Sequence, residues 1–455
     1  MSIQKHALVL ILITILASNL VIAQQWVNPN YDAHRLDYRD LGYPKQNLLP
    51  ADNSRITALL AHSNGLIYGA TSGRTQSYLF LYSRYINKVR PLGKIVEAKG
   101  IYHCLLEGKE GNIYVGTGMN MLAPVKLTKD FLVEYEGIEK QLWKDICAPY
   151  QSFEGGHIYE YNPKTGDVKR YTNESPCPLK DVGVPIEGHT IYAMTFNPGK
   201  TKIYGVTYPY AHFFIFDITS KRTRDLGEFL TNKVYHGPER HWRTVPRALY
   251  CDPSTGCVYT SGDNGWLLRY DPKTEKIEMT DMRLPGEYWE SYKSWDYPVV
   301  ECFETDSAGN VYAGTDDGHL VRLDFENEQV IVLGKPRIMR RMRAMKVGKD
   351  GNLYIITGEF ERICKLHTYD LSGQNGFTEL GVFAVDRSPY YSKRAYQFDA
   401  MAIGTDGAVF CGESDRRGKL FIYTPGPVFK GQTNPTNPVV ERMRLDTPGL
   451  IPEGL

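Results

Sequence analysis

A four-strand pattern recurs seven times in this chain, and the recurrence leaves little freedom for the fold. Each copy opens with an apolar strand and turns through Asp, Asn, Gly or Ser. A second strand follows, usually of the form x-Ile/Val/Leu-Tyr-x-Gly. A variable loop leads to a third strand ending in Tyr-Asp or Leu-Asp, and then to a fourth. The copies begin at Ile56, Ile101, Ile191, Val245, Val300, Met342 and Phe398, with ITALLAHSNGLIYGAT and VECFETDSAGNVYAGT among the clearest. Alternating aromatic and β-branched residues bounded by Asx-Gly turns predict β-hairpins. The usual spacing is about 40–50 residues, the period of a propeller blade. The expected fold is therefore all-β, a seven-bladed β-propeller forming one domain over residues 24–455. The gap between the second and third copies is about twice the norm. An insertion near residues 126–155, with a short helix in FLVEYEGIEKQLWKDI, would account for it. The segment HIYEYNPKTGDVKRYT reads as the third and fourth strands of blade two. The ring-closing strand is expected in Asp37–Leu41 or Val439–Leu445.

In a propeller the innermost strands line a central channel. The loops joining second to third strands, and one blade to the next, share one face, which is where a ligand is expected. His189 sits just before the first strand of blade three, and His212 begins that blade's third strand. Arg247 starts blade four, with Tyr235, His236 and His241 on the connector before it. His103 starts blade two. Arg340, Arg341 and Arg343 surround the start of blade six, and Lys393 and Arg394 precede blade seven. Tyr208 and Tyr210 lie in the loop before His212, and Tyr250 follows Arg247. His103, Tyr208, Tyr210, Tyr250, Arg340, Arg343 and Arg394 are assigned to substrate binding. Plainer readings stand beside these: a single histidine as a structural hydrogen bonder, any one of the 32 tyrosines as packing, rim arginines as solvated surface. Cys251 and Cys257 flank the turn DPSTG. They read as thiols, a disulfide, or ligands of a structural metal whose third ligand the local sequence does not supply.

The formal charge of +1 gives no general attraction to nucleic acid, so any polyanion site must come from local clustering. Lys5 and His6 precede an apolar run from Ala7 to Leu16, and Val21-Ile22-Ala23 suits signal peptidase. Residues 1–23 thus read as a signal peptide, the run being short for a membrane span. The expectation is a secreted or periplasmic monomer with no membrane span, in a compartment that permits disulfides among its eight cysteines. No Ser-His-Asp order, P-loop or HExxH motif occurs, and no carboxylate pair marks a glycosidase.

A set of His, Tyr and Arg suits elimination from a uronic acid. A base removes the proton beside the carboxylate, an acid protonates the leaving oxygen, and a cation balances the charge that builds on the carboxylate. The segments LGYPKQNLLPADNSRITALL, NKVRPLGKI, GHTIYAMTF and AHFFIFD, followed by VPRAL, resemble the secreted propeller-type polysaccharide lyases of marine bacteria, in particular the ulvan lyases. The resemblance spans roughly Leu41 to Pro425. It implies β-elimination on an anionic polysaccharide, ulvan foremost, with catalytic residues His189, His212, Arg247 and a tyrosine. Tyr235 is the nearest match for the tyrosine, with Tyr208, Tyr210 and Tyr250 as rivals. It also implies a structural zinc, assignable here only to Cys251 and Cys257, and no cofactor required for catalysis. Two readings from other classes remain: a non-catalytic propeller that binds a glycan or protein, and a metal-dependent propeller hydrolase acting on lactones or sugars.

Overall fold

The structure is a computed structural model describing residues 36–42, 48–120, 147–230, 245–289, 294–336, 341–358, 364–387, 391–395, 397–415 and 417–425. These residues build seven four-stranded antiparallel sheets, arranged as a seven-bladed propeller. The first strands of blades one, three, five, six and seven are Arg55–Ala61, Thr190–Phe196, Val300–Thr305, Met342–Val347 and Phe398–Ile403. Blades two and four begin with the shorter strands Leu105–Glu107 and Tyr250–Cys251. The seven starts agree with the sequence period. Two small hairpins, Glu287–Trp289 with Ser294–Asp296 and Ala384–Arg387 with Tyr391–Arg394, lie in the connections into blades five and seven.

The glycine that directly follows the second-strand tyrosine in blades one and three has a packing cause. A Cβ on Gly69 would stand 2.1 Å from the Phe80 ring, and one on Gly205 would stand 2.2 Å from Phe214. The aromatic side chain of the neighbouring third strand lies flat across the glycine, a contact that only a bare Cα allows. Phe80 and Phe214 are both fully buried there.

Ring closure falls to one of the two expected segments. Leu36–Asp40 pairs antiparallel with Lys419–Tyr423 and forms the outermost strand of blade seven. The Val439–Leu445 alternative and the signal sequence lie outside the described residues, as does most of the expected insertion. One expectation needs correction. The fourth strand of blade two is Leu179–Gly183, not the VKRYT segment. Asn162 caps a helical turn at Pro163–Gly166 by accepting the Lys164 N–H at 2.9 Å, which ends the hairpin before a fourth strand can start.

Every well-formed first strand carries a register shift at the same station. The ladder skips Thr57, Tyr192, Glu301, Arg343 and Asp399 in blades one, three, five, six and seven. Counting back from the next turn, His103 and Arg247 occupy that station in blades two and four. A bulge re-aims one side chain out of the strand's alternation. Here it turns one residue per blade to a common level around the axis.

Candidate functional site

Four consecutive blades alternate in charge at that level: Arg247, Glu301, Arg343, Asp399. The Arg247 guanidinium donates to Glu301 Oε2 at 2.8 Å and to Asp399 Oδ1 at 2.7 Å. Its Nε donates to His103 Nε2 at 3.0 Å, so that nitrogen of His103 is the acceptor. Arg343 bonds Asp399 and donates from Nε to the Phe398 carbonyl at 3.0 Å. Arg341 closes on the other oxygen of Glu301 at 2.6 Å. Arg247, Arg343, Glu301 and Asp399 are all buried. Burial alone would raise the Glu301 carboxyl, but Arg341, Arg247 and Arg343 together hold it down at about 2. Burial, and then the Arg247 charge, push His103 down to about 3, so it is neutral. The ring borders an axial cavity of about 220 Å³, lined by residues of all seven blades and including Ala58, Met194, Phe303 and Lys346.

The second assembly lies on the loop face of blade three. His189 and His212 meet edge to face with ring centroids 4.6 Å apart, and the Tyr210 ring lies 5.0 Å from His189. His189 Nδ1 is 2.8 Å from the Thr207 hydroxyl, and His212 Nδ1 is 2.9 Å from Asp225 Oδ2. The His212 backbone N–H donates to the same Thr207 hydroxyl at 3.1 Å. Asp225 is held in turn, accepting the Gly227 N–H at 2.8 Å. Beneath the group stands an aromatic floor of Tyr150, Tyr192, Tyr208 and Phe213. Burial, and then the neighbouring His212, lower His189 to about 4. Burial and Cys147 raise the Tyr210 phenol to about 12, so it keeps its proton.

Part of this arrangement belongs to the repeat. In blade two, Thr117 accepts the His157 N–H at 2.9 Å and His157 pairs with Asp181 at 3.0 Å. In blade five, Thr315 accepts the His319 N–H at 2.8 Å and His319 pairs with Asp317 at 2.8 Å. Blade three differs by adding His189 to the shared threonine. The signal for this device was present in the sequence: GHI, AHF and GHL, stacked at the start of the third strand.

The structure thus brings His189, His212 and Tyr210 together. It places Arg247, Arg343 and His103 in a different assembly, the axial ring. Tyr208 is only 2 % exposed and packs in the floor. Tyr250 stacks on Phe325 with ring centroids 5.4 Å apart, as a packing residue between blades four and five. Tyr235, Arg340 and the Arg394 side chain lie outside the described residues.

Cys251 pairs in register with Val258, so Cys251 and Cys257 are not cross-strand partners. None of the eight cysteines is in a disulfide. Burial, and then Asp252, push the Cys251 thiol up to about 12. Among the described residues no three His, Cys, Asp or Glu side chains are grouped so as to hold a metal ion. Among the described residues no third ligand joins Cys251 and Cys257, so the pair does not make up a zinc ligand set.

No protein-family model matches the chain, and no curated protein matches it. Solved structures match it in fold. Virginiamycin B lyase from Staphylococcus aureus aligns at 9 % identity and TM-score 0.52, over 86 % of this chain and 99 % of its own. The extracellular domain of a hybrid two-component system from B. thetaiotaomicron aligns at 13 % identity and TM-score 0.52, over 87 % of this chain. This chain spans 40 % of that protein's length. The β-propeller domain of Myceliophteria thermophila Cps50 (Swd1) aligns at 9 % identity and TM-score 0.51, over 86 % of this chain and all of its own. At such identities the likeness is one of fold alone.

His103 and His189 resist protonation in the folded state, whereas the unfolded chain takes up protons below about 6.5. Stability from both is full above 6.5 and is lost as pH falls toward 4 and then 3. Glu301 adds a loss of the same sign between 4.5 and about 2. The denaturant midpoint should fall steadily from pH 6.5 to pH 4. A flat midpoint across that window would contradict the burial of these histidines.

Proposed function

We propose that this propeller is a secreted or periplasmic lyase that cleaves an anionic, uronate-containing polysaccharide by β-elimination, with ulvan the first substrate to test. The observation that carries the reading is the His189–His212 pair, ringed by Tyr210, Thr207 and Asp225 on the ligand face. A histidine takes the proton beside the uronate carboxylate, and Tyr210 protonates the leaving oxygen. Tyr210 takes the tyrosine role because its ring lies against His189. Arg247 is not the carboxylate clamp in this reading, since its donors are engaged by His103, Glu301 and Asp399. The test is incubation with ulvan and other uronate polymers, followed by absorbance of the unsaturated uronate and mass spectrometry. Products lacking added water are expected. No cleavage of any uronate polymer, or hydrolytic products, would remove the lyase reading.

A binding propeller is favoured by one specific observation: the His–Asp device repeats in blades two and five, where no second histidine joins it. Tight polysaccharide binding without turnover would be its result.

A further inference from the structure

The direction of each hydrogen bond in blade three decides which nitrogen of each histidine holds the proton. A threonine hydroxyl has one proton and two lone pairs. Thr207 accepts the His212 N–H at 3.1 Å, which uses one lone pair. Its own proton has two acceptors in reach, His189 Nδ1 at 2.8 Å and the His212 carbonyl at 3.5 Å. The shorter contact takes it, because 3.5 Å lies at the limit of a hydrogen bond. His189 Nδ1 is then an acceptor, and the neutral ring carries its proton on Nε2. His212 has the opposite polarity. Its Nδ1 faces a carboxylate oxygen, which only accepts, so the proton sits on Nδ1 and Nε2 keeps a lone pair. No described residue bonds either Nε2.

We propose that Asp225 and Thr207 are positioning residues that give the two histidines opposite roles: His212 accepts the substrate proton at Nε2, and His189 donates its Nε2–H to the carboxylate on which charge builds. This rests on the lyase reading above and deepens it. The C–H bond beside the carboxylate breaks and its proton forms the N–H bond at His212 Nε2. The electron pair passes into the carboxylate, where His189 meets it with a hydrogen bond placed in advance. The pair then returns to form the carbon–carbon double bond as the glycosidic C–O bond breaks, and the leaving oxygen takes the Tyr210 proton. His189 thus supplies the charge stabilisation that Arg247, locked in the axial ring, is not placed to give. A neutral donor suits this task because it holds its proton throughout.

The test uses the full chain labelled with ¹⁵N-histidine, with peaks assigned through His189→Gln and His212→Gln. His212 should show the Nδ1–H tautomer and His189 the Nε2–H tautomer. Asp225→Asn should lower kcat roughly 10²–10⁴-fold with KM little changed. Asp181→Asn and Asp317→Asn, which alter the matching pairs in blades two and five, should leave kcat unchanged. Thr207→Val should lower kcat and Thr207→Ser restore it. A wild-type His212 protonated at Nε2, or an Asp225→Asn enzyme with normal kcat, overturns the proposal. If the wild type cleaves no uronate polymer, the lyase reading falls, and the tautomer spectrum still decides whether Asp225 and Thr207 set the rings.

Discussion

Replacing Glu301 with alanine is expected to cost about 3–5 kcal/mol of stability, the range for removing one member of a buried ion pair. Glu301 receives Arg247 at 2.8 Å on one oxygen and Arg341 at 2.6 Å on the other, with Arg343 at 4.0 Å. Its loss leaves Arg341 without its bond in the ring, and Arg247 dependent on Asp399 alone among the carboxylates. Both arginines stay charged, Arg247 buried and Arg341 partly so, because burial does not deprotonate a guanidinium. A folded domain has only about 5–15 kcal/mol in hand. The change should therefore be visible as a large drop in the urea midpoint. A loss below about 1 kcal/mol would show that the pair behaves like an exposed one. Arg247→Met should cost less, since Glu301 keeps Arg341 and Asp399 keeps Arg343. The ring also limits one obvious experiment. Lost activity in Arg247→Ala reports a broken ring as readily as a missing catalytic group, so that variant needs its own melting curve.

The second large effect concerns His212. His212→Ala should reduce turnover on a uronate polymer by roughly 10²–10⁴-fold, the usual worth of a positioned acid or base. The fold should survive, because the side chain is partly exposed and its threonine bond is made by the backbone. His157→Ala and His319→Ala are the internal comparison. Each removes a histidine of the same station, with the same threonine and a carboxylate partner, and each should leave turnover at the wild-type level. Equal losses in all three would mean that the device is architectural and that blade three is not special.

The propeller itself was legible because its period is written in side chains that alternate along short strands. The axial ring was half legible. Arg247, Arg343 and His103 stand out at strand starts, yet their meaning comes from Glu301 and Asp399. Those two occupy the same station in VEC and FDA that arginine occupies in PRA and MRA. Stacking the copies by their turns would have paired them. Asp225 was not legible. It reaches His212 across a register shift in the fourth strand, where His212 pairs with Glu228 and Phe214 with Asp225. No periodic rule places a residue on the far side of such a shift. The helical turn at Pro163–Gly166 was missed because Asn-Pro-Lys-Thr-Gly also reads as an ordinary hairpin turn.

The pairing of Leu36–Asp40 with Lys419–Tyr423 gives the molecule an order of completion. The segment that leaves the ribosome early waits for a partner made nearly four hundred residues later. A truncated product is therefore left with an unsealed seam, and both sides of the seam are sheet edges that invite foreign strands or proteases. The chain carries its own inspection step: only a polypeptide synthesised past Tyr423 can fasten Leu36–Asp40.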